Sequence, residues 1–197
     1  MSEFAKPHPH VTDFLLTRRS HLAITLSEPG PDAETLEKIL TIGARVPDHG
    51  KLAPWRFVVY AGEARSRIGE HLAALAESRN GPLSEAQRTQ ELNRFIRSAV
   101  VIGVLSRAAV HPKIPVWEQE LSAGAACMNI LTAATAAGFG AQWISEWYSF
   151  DDEAARYLGA AEGERFAGFI HIGTPTQAPF ERPRPELASI VSHWAGE

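Results

Sequence analysis

Cysteine is almost absent from this chain: Cys127 is the only one among 197 residues. A lone cysteine excludes an intramolecular disulfide and a thiolate metal cluster, and it suits a reducing compartment. Cys127 stands in an apolar run, where a thiol behaves as a small buried hydrophobe. Positive charge is also short, with 19 Lys+Arg against 23 Asp+Glu and a formal net charge of -4. Phosphate neutralisation needs a basic excess, so the composition argues against a sequence-independent nucleic-acid binder and for small-molecule partners. Long uninterrupted apolar runs are missing too. The stretch from Leu121 to Ala141 is broken by Ser122, Asn129, Thr132 and Thr135 and is dominated by Ala and Gly, so it reads as a buried helix and not a membrane span. The first sixteen residues carry Glu3 and lack the apolar core of a secretory signal, and the expected location is cytoplasmic, away from membranes.

Several chemical signatures are missing as well. No Gly-x-Gly-x-x-Gly follows a strand, no phosphate-loop sequence occurs, and no Gly-x-Ser-x-Gly marks a nucleophile elbow. The eight histidines show no His-x-x-x-His spacing, so no metal site is expected.

What is present has the composition of an ordinary globular protein, 45% apolar and 21% charged, and a single domain over residues 1–197 is expected. Residues 10–17 read as a short helix. The turn Glu28-Pro29-Gly30-Pro31 leads to a second helix capped by Asp32, with Leu36, Ile39, Leu40 and Gly43 at helical spacing and Pro47 as its stop. Further strands are expected over residues 55–60, 99–105, 142–145 and 166–172, and further helices over residues 63–78, 84–97 and 117–137 and behind the cap Asp151. Ser122, Ala123, Gly124, Ala125 and Ala126 would let another backbone approach the long helix, the candidate dimer core. A proline-rich tail follows. The mixture implies an α+β or α/β layered domain.

Three segments carry candidate chemistry. Arg18-Arg19-Ser20 places two guanidiniums and a hydroxyl at a helix-to-loop junction, suited to bidentate contact with phosphate or with polar ring edges; alone, it fits a solvated basic helix end better. Arg182 and Arg184, two apart in extended chain, point the same way and can close on one anion, or else belong to a solvated tail. The loop from Pro47 to Trp55 is polar and bracketed by prolines, which holds Asp48 and His49 in place. Trp117 and Trp147 read as core or dimer packing more than as substrate-stacking rings.

Taken in order, Arg18-Arg19-Ser20, Ala44-Arg45-Val46-Pro47-Asp48-His49-Gly50 with Pro54-Trp55-Arg56-Phe57, His111-Pro112-Lys113-Ile114-Pro115-Val116-Trp117-Glu118 and Gly138-Phe139-Gly140-Ala141-Gln142-Trp143 resemble the nitroreductase family over nearly the full chain. The Pro-Asp-His loop and the Pro-Lys-Ile-Pro-Val-Trp-Glu segment resemble its small single-domain NAD(P)H nitroreductase branch. The resemblance implies an α+β fold, a central mixed β-sheet wrapped by helices, and an intertwined homodimer with FMN at the subunit interface. It implies that Arg18, Arg19 and Ser20 hold FMN from one subunit and Arg45 and His49 from the other, with Trp143, Ile144 and Ser145 beside the ring and Arg182 and Arg184 on the phosphate. The implied activity is ping-pong reduction of nitroaromatic or quinone-type acceptors with NAD(P)H as hydride donor, the cofactor performing the electron chemistry so that no acid or base is nominated. Other flavin chemistry on the same scaffold, or flavin binding with little turnover, are the alternatives. Two positions depart from the resemblance, in which many relatives carry arginine where Ile144 stands and often a basic residue where Leu22 stands; the expected consequence is a lower flavin reduction potential than in relatives with arginine at the Ile144 position.

Overall fold

The computed structural model describes residues 6–196; Glu3, on which the reading against a secretory signal partly rests, lies outside them. Eleven regular elements follow one another among these residues: α1 (Pro9–Thr17), β1 (Leu26–Ser27), α2 (Ala33–Gly43), β2 (Trp55–Ala61), α3 (Ala64–Asn80), α4 (Glu85–Leu92), β3 (Val100–Ser106), α5 (Val116–Ala136), β4 (Gly140–Ile144), α6 (Asp152–Tyr157) and β5 (Arg165–Pro175). Local chemistry sets most boundaries. The Asp32 carboxylate accepts from the Thr35 N–H at 2.8 Å and starts α2. Ser84 and Gln87 form a reciprocal capping box on α4, and Asp151 accepts from the N–H groups of Glu153 and Ala154 to start α6.

One expected helix is shorter than its sequence suggests. The 84–97 segment stays α-helical only to Leu92, because Phe95 must leave the helical path to reach a fully buried position among Tyr60, Tyr148 and Phe169. Burial of an aromatic ring outweighs the few tenths of a kcal/mol per residue that helix propensity supplies, about 2 kcal/mol against far less.

The sheet runs β2-β3-β5 and is completed along the outer edge of β5 by β4 and β1, which lie end to end there: Ile144 to Gly140 pair with Phe169 to Gly173, then Ser27 and Leu26 with Thr174 and Pro175. Every pairing among the described residues is antiparallel, where the resemblance implies a mixed sheet. The reason is topological. β3 and β4 point the same way and are joined by α5 as a crossover, but β5 inserts between them and turns both contacts antiparallel.

Apolar residues alternate across this sheet into two cores. Ile102, Val104, Ile170 and Ile172 pack toward α2 and α5 with Ile39, Ala126, Cys127 and Ile130. Val101, Leu105 and Phe169 pack on the other face toward α3 and α6, with Leu72, Tyr148 and Leu158. A strand buried on both faces has to be apolar throughout, which accounts for the unbroken Val100–Leu105 run. Two glycines of β5 stand where a side chain is excluded: a Cβ at Gly173 would meet the Ser27 carbonyl at 2.7 Å, and one at Gly168 would stand 2.0 Å from the Trp143 indole nitrogen, where a register shift between Val104 and Leu105 marks the same spot.

The small residues of α5 do not all serve the purpose expected of them. Ser122, Ala123 and Ala126 are buried within their own chain, while Trp117, Leu121 and Met128 form the exposed apolar stripe. No helix among the described residues is long and apolar enough to cross a membrane.

Candidate functional site

Where α1 ends, Arg18 leaves the helix in extended conformation. The next residues are pinned to the edge strand β4: the His21 N–H donates to the Ala141 carbonyl at 3.1 Å, and the Ala23 N–H to Gln142 Oε1 at 2.5 Å. The chain after β5 returns past the same place, because Thr176 donates through its N–H and its hydroxyl to the Thr25 carbonyl at 2.9 and 3.0 Å. Between these segments lies a cleft of about 600 Å³, with Arg18, Arg19, Ser20, Gln142, Arg182 and Arg184 among its lining residues. Two sequence-distant basic motifs are thereby brought together, and a chain of net charge -4 acquires a cleft with four arginines.

The four arginines are not equivalent. Arg19 is committed: Nε and Nη2 grip the Glu181 carboxylate at 2.9 and 2.7 Å, and Nη1 donates to the Thr17 carbonyl at 2.8 Å. This bidentate pair ties the tail to the end of α1 and holds the Glu181 carboxyl below its ordinary range. Arg18 is different. Its Nη1 is buried without a hydrogen-bond partner among the described residues, and burial first, then the charges of Arg184 and Arg19, depress its pKa. A partly buried guanidinium with an unused donor and cationic neighbours is suited to an anion supplied from outside the chain. A phosphate monoester such as that of FMN has the charge and the acceptor oxygens this donor set lacks.

Strand β4 contributes by alternation. Gln142 and Ile144 face the Leu22 side, and both line a second recess of about 170 Å³ that shares Leu22 and Gln142 with the cleft. Trp143 points to the opposite face, lies over Gly168 and donates from Nε1 to the Ala167 carbonyl at 3.2 Å. Ser145 is exposed just past the strand. Gln142 was missed as a site residue although the period-two pattern of its own strand places it beside Ile144.

Arg45 and His49 do not line the cleft of their own chain. Both are exposed, on and after the end of α2. The loop carrying His49 is nonetheless rigidly built. Asp48 accepts from the N–H groups of Leu52 and Ala53 at 3.0 and 2.8 Å, and Ser122 donates to the Pro47 carbonyl at 2.6 Å. Gly50 has φ +72 and abuts Ile114, while Lys51 and Ala53 hold left-handed φ values of 57 and 45, a cost that persists only where surroundings enforce it. The His49 ring meets Glu118 on α5 with Nδ1 2.6 Å from the carboxylate. Trp147 is half-buried and donates to Glu91, in keeping with a packing role, whereas Trp117 is 66% exposed.

Comparison with known proteins gives a consistent result. A model of the nitroreductase family matches residues 15–174. The "Putative NAD(P)H nitroreductase YdjA" of Escherichia coli (strain K12) is 37% identical over 166 residues, covering 83% of this chain and 87% of that protein. Among solved structures, the nitroreductase-like family protein from Bacillus cereus superposes with a TM-score of 0.78 at 22% identity over the whole of both chains. A Desulfovibrio desulfuricans protein described as a "putative nitroreductase in complex with fmn" gives 0.71 at 24% identity, covering 98% of this chain and 100% of that one.

Proposed function

This chain belongs to the nitroreductase family, and we propose that it is an FMN enzyme that passes reducing equivalents from NAD(P)H to nitroaromatic or quinone-type acceptors in ping-pong order. At family level it is an NAD(P)H oxidoreductase. The observation that carries the cofactor assignment is the unpartnered, partly buried Arg18 guanidinium in the arginine cleft. When bound, FMN supplies the hydride chemistry.

The chain's own residues supply position and charge. Arg18, Arg182 and Arg184 hold the phosphate, with Ser20 as a further donor. Arg19 acts through Glu181, fixing the tail that carries Arg182 and Arg184. Gln142 has its carbonyl oxygen engaged by the Ala23 N–H, which leaves its amide group for a ligand beside β4. The ring rests against the Ile144 side chain, the backbone of Trp143 and Ser145 just past the strand.

A homodimer completes the site in this reading. The exposed stripe of Trp117, Leu121 and Met128 on α5, spaced for one helix face, is a surface that a second copy would cover. The rigid loop would then present Arg45 and His49 to the partner's cofactor, and the unusual backbone at Lys51 and Ala53 is explained by that task. We read residues 1–197 as one domain acting in the cytoplasm on small molecules. Steady-state rates with NADPH and a quinone or nitroaromatic varied together test this. Parallel double-reciprocal lines from a dimer in solution are expected; intersecting lines, or a monomer with full activity, overturn the ping-pong or the shared-site assignment respectively.

A further inference from the structure

The recess beside the arginine cleft has a mixed lining: Leu22, Ala23, Ile24 and Ile144 are apolar, Gln142 is polar, and Arg97 and Glu146 are charged. Arg97 comes from the turn before β3 and is only 15% exposed at its side chain, with Nη2 3.0 Å from Glu146 Oε2. Neither its Nε nor its Nη2 makes an aligned hydrogen bond among the described residues. Glu146 is shared, since Arg94 Nη1 lies 3.1 Å from the same oxygen. Glu91 offers Arg97 no relief, because its oxygens accept from Arg94 and from the Trp147 indole. Arg97 is therefore a mostly buried cation whose one carboxylate neighbour is shared with Arg94, next to the proposed cofactor site.

We propose that Arg97 is the residue that sets the reduction potential of the bound flavin, its guanidinium attracting the negative charge that gathers on the carbonyl edge of the ring upon reduction, with Glu146 opposing it. The proposal rests on the FMN reading given above. Hydride brings two electrons and one proton, so one negative charge stays on the cofactor. A cation held in place by the protein stabilises that charge more than mobile solvent ions would. Leu22 and Ile144 line the same recess as Arg97, which reaches it from another element. Arg97 thus acts at a distance as an electrostatic residue and needs no contact with substrate.

The test is an anaerobic redox titration of the FMN-loaded protein with R97M, R97K and E146Q beside the parent. R97M is expected to weaken binding of reduced FMN relative to oxidised FMN about tenfold, read as a fall of roughly 30 mV in the two-electron potential. R97K should return most of that loss, and E146Q should move the potential upward. An unchanged potential in R97M overturns the proposal; should R97M not fold, a failure of E146Q to raise the potential overturns it instead. Parent protein that takes up no FMN would overturn the flavin reading itself, a result separable from any of these.

Discussion

Replacing Arg18 by Met separates a ligand-binding arginine from an ordinary helix end, because the two make opposite predictions for the protein without FMN. Met keeps most of the apolar stem and deletes the charge. In the ligand-free chain, Arg18 Nη1 is buried with no partner among the described residues, and Arg184 and Arg19 crowd it. Deleting an unsatisfied donor of this kind removes a penalty of about 1–3 kcal/mol, partly offset by lost packing. The expected net gain is about 1 kcal/mol, or roughly 2–4 °C in Tm for a chain of this size. With FMN present the sign reverses. A charge-assisted hydrogen bond to phosphate contributes about 1.5–3 kcal/mol, so the Kd for FMN should rise roughly 10- to 150-fold. Thermal melts of FMN-free protein, followed by titration with FMN monitored through flavin fluorescence, read both quantities. A fall in Tm without FMN together with unchanged FMN affinity would refute the reasoning and return Arg18 to the role of a basic helix terminus.

Three other outcomes follow from the same coordinates. Glu181 has its carboxyl pKa lowered, chiefly by its hydrogen bond to Arg19, so its contribution is present above the ordinary carboxylate pKa and is lost as pH falls through the lowered value. E181Q should accordingly make cleavage of the tail by a protease faster at neutral pH and nearly independent of pH, and a parent-like cleavage profile would contradict this. Burial holds the His171 ring neutral, its pKa well below the ordinary value, with Nδ1 2.8 Å from the Ser98 hydroxyl. The unfolded chain then binds a proton that the folded chain refuses, so stability should decline as pH drops below about 6.5, and urea midpoints of H171Q should show a shallower decline than the parent's between pH 7.5 and 5.5. Cys127 is fully buried with its thiol pushed up to about 12, and it should react with a thiol reagent at pH 8 only after denaturant is added; reaction in the native state would contradict the packing described.

The elements with local causes were legible in the sequence. Asp32 and Asp151 announce their helices, and the aromatic and β-branched run at Trp55 and the apolar run at Val100 announce their strands. Arg18 and Arg182 were each recognisable as anion-binding candidates. Their convergence was not, because it depends on β5 carrying the chain past Thr25, a pairing between residues some 150 apart. The sheet's antiparallel character was hidden for a similar reason, since the insertion of β5 between β3 and β4 has no local sequence signal. Gln142 is within reach of strand alternation, since it shares the face of Ile144, whereas the Trp143 ring stands on the opposite face. The Glu118 partner of His49 and the meeting of Arg97 with Leu22 and Ile144 at the recess join distant segments, which periodicity cannot report.

Everything proposed for the arginine cleft depends on its holding a redox-active flavin. The most direct test is to purify the protein, add FMN, remove the unbound excess, record the visible spectrum and then add NADPH without oxygen. A stoichiometric flavin spectrum that bleaches on addition of NADPH is expected. A colourless protein after FMN loading, or a bound flavin that NADPH leaves oxidised, would contradict it.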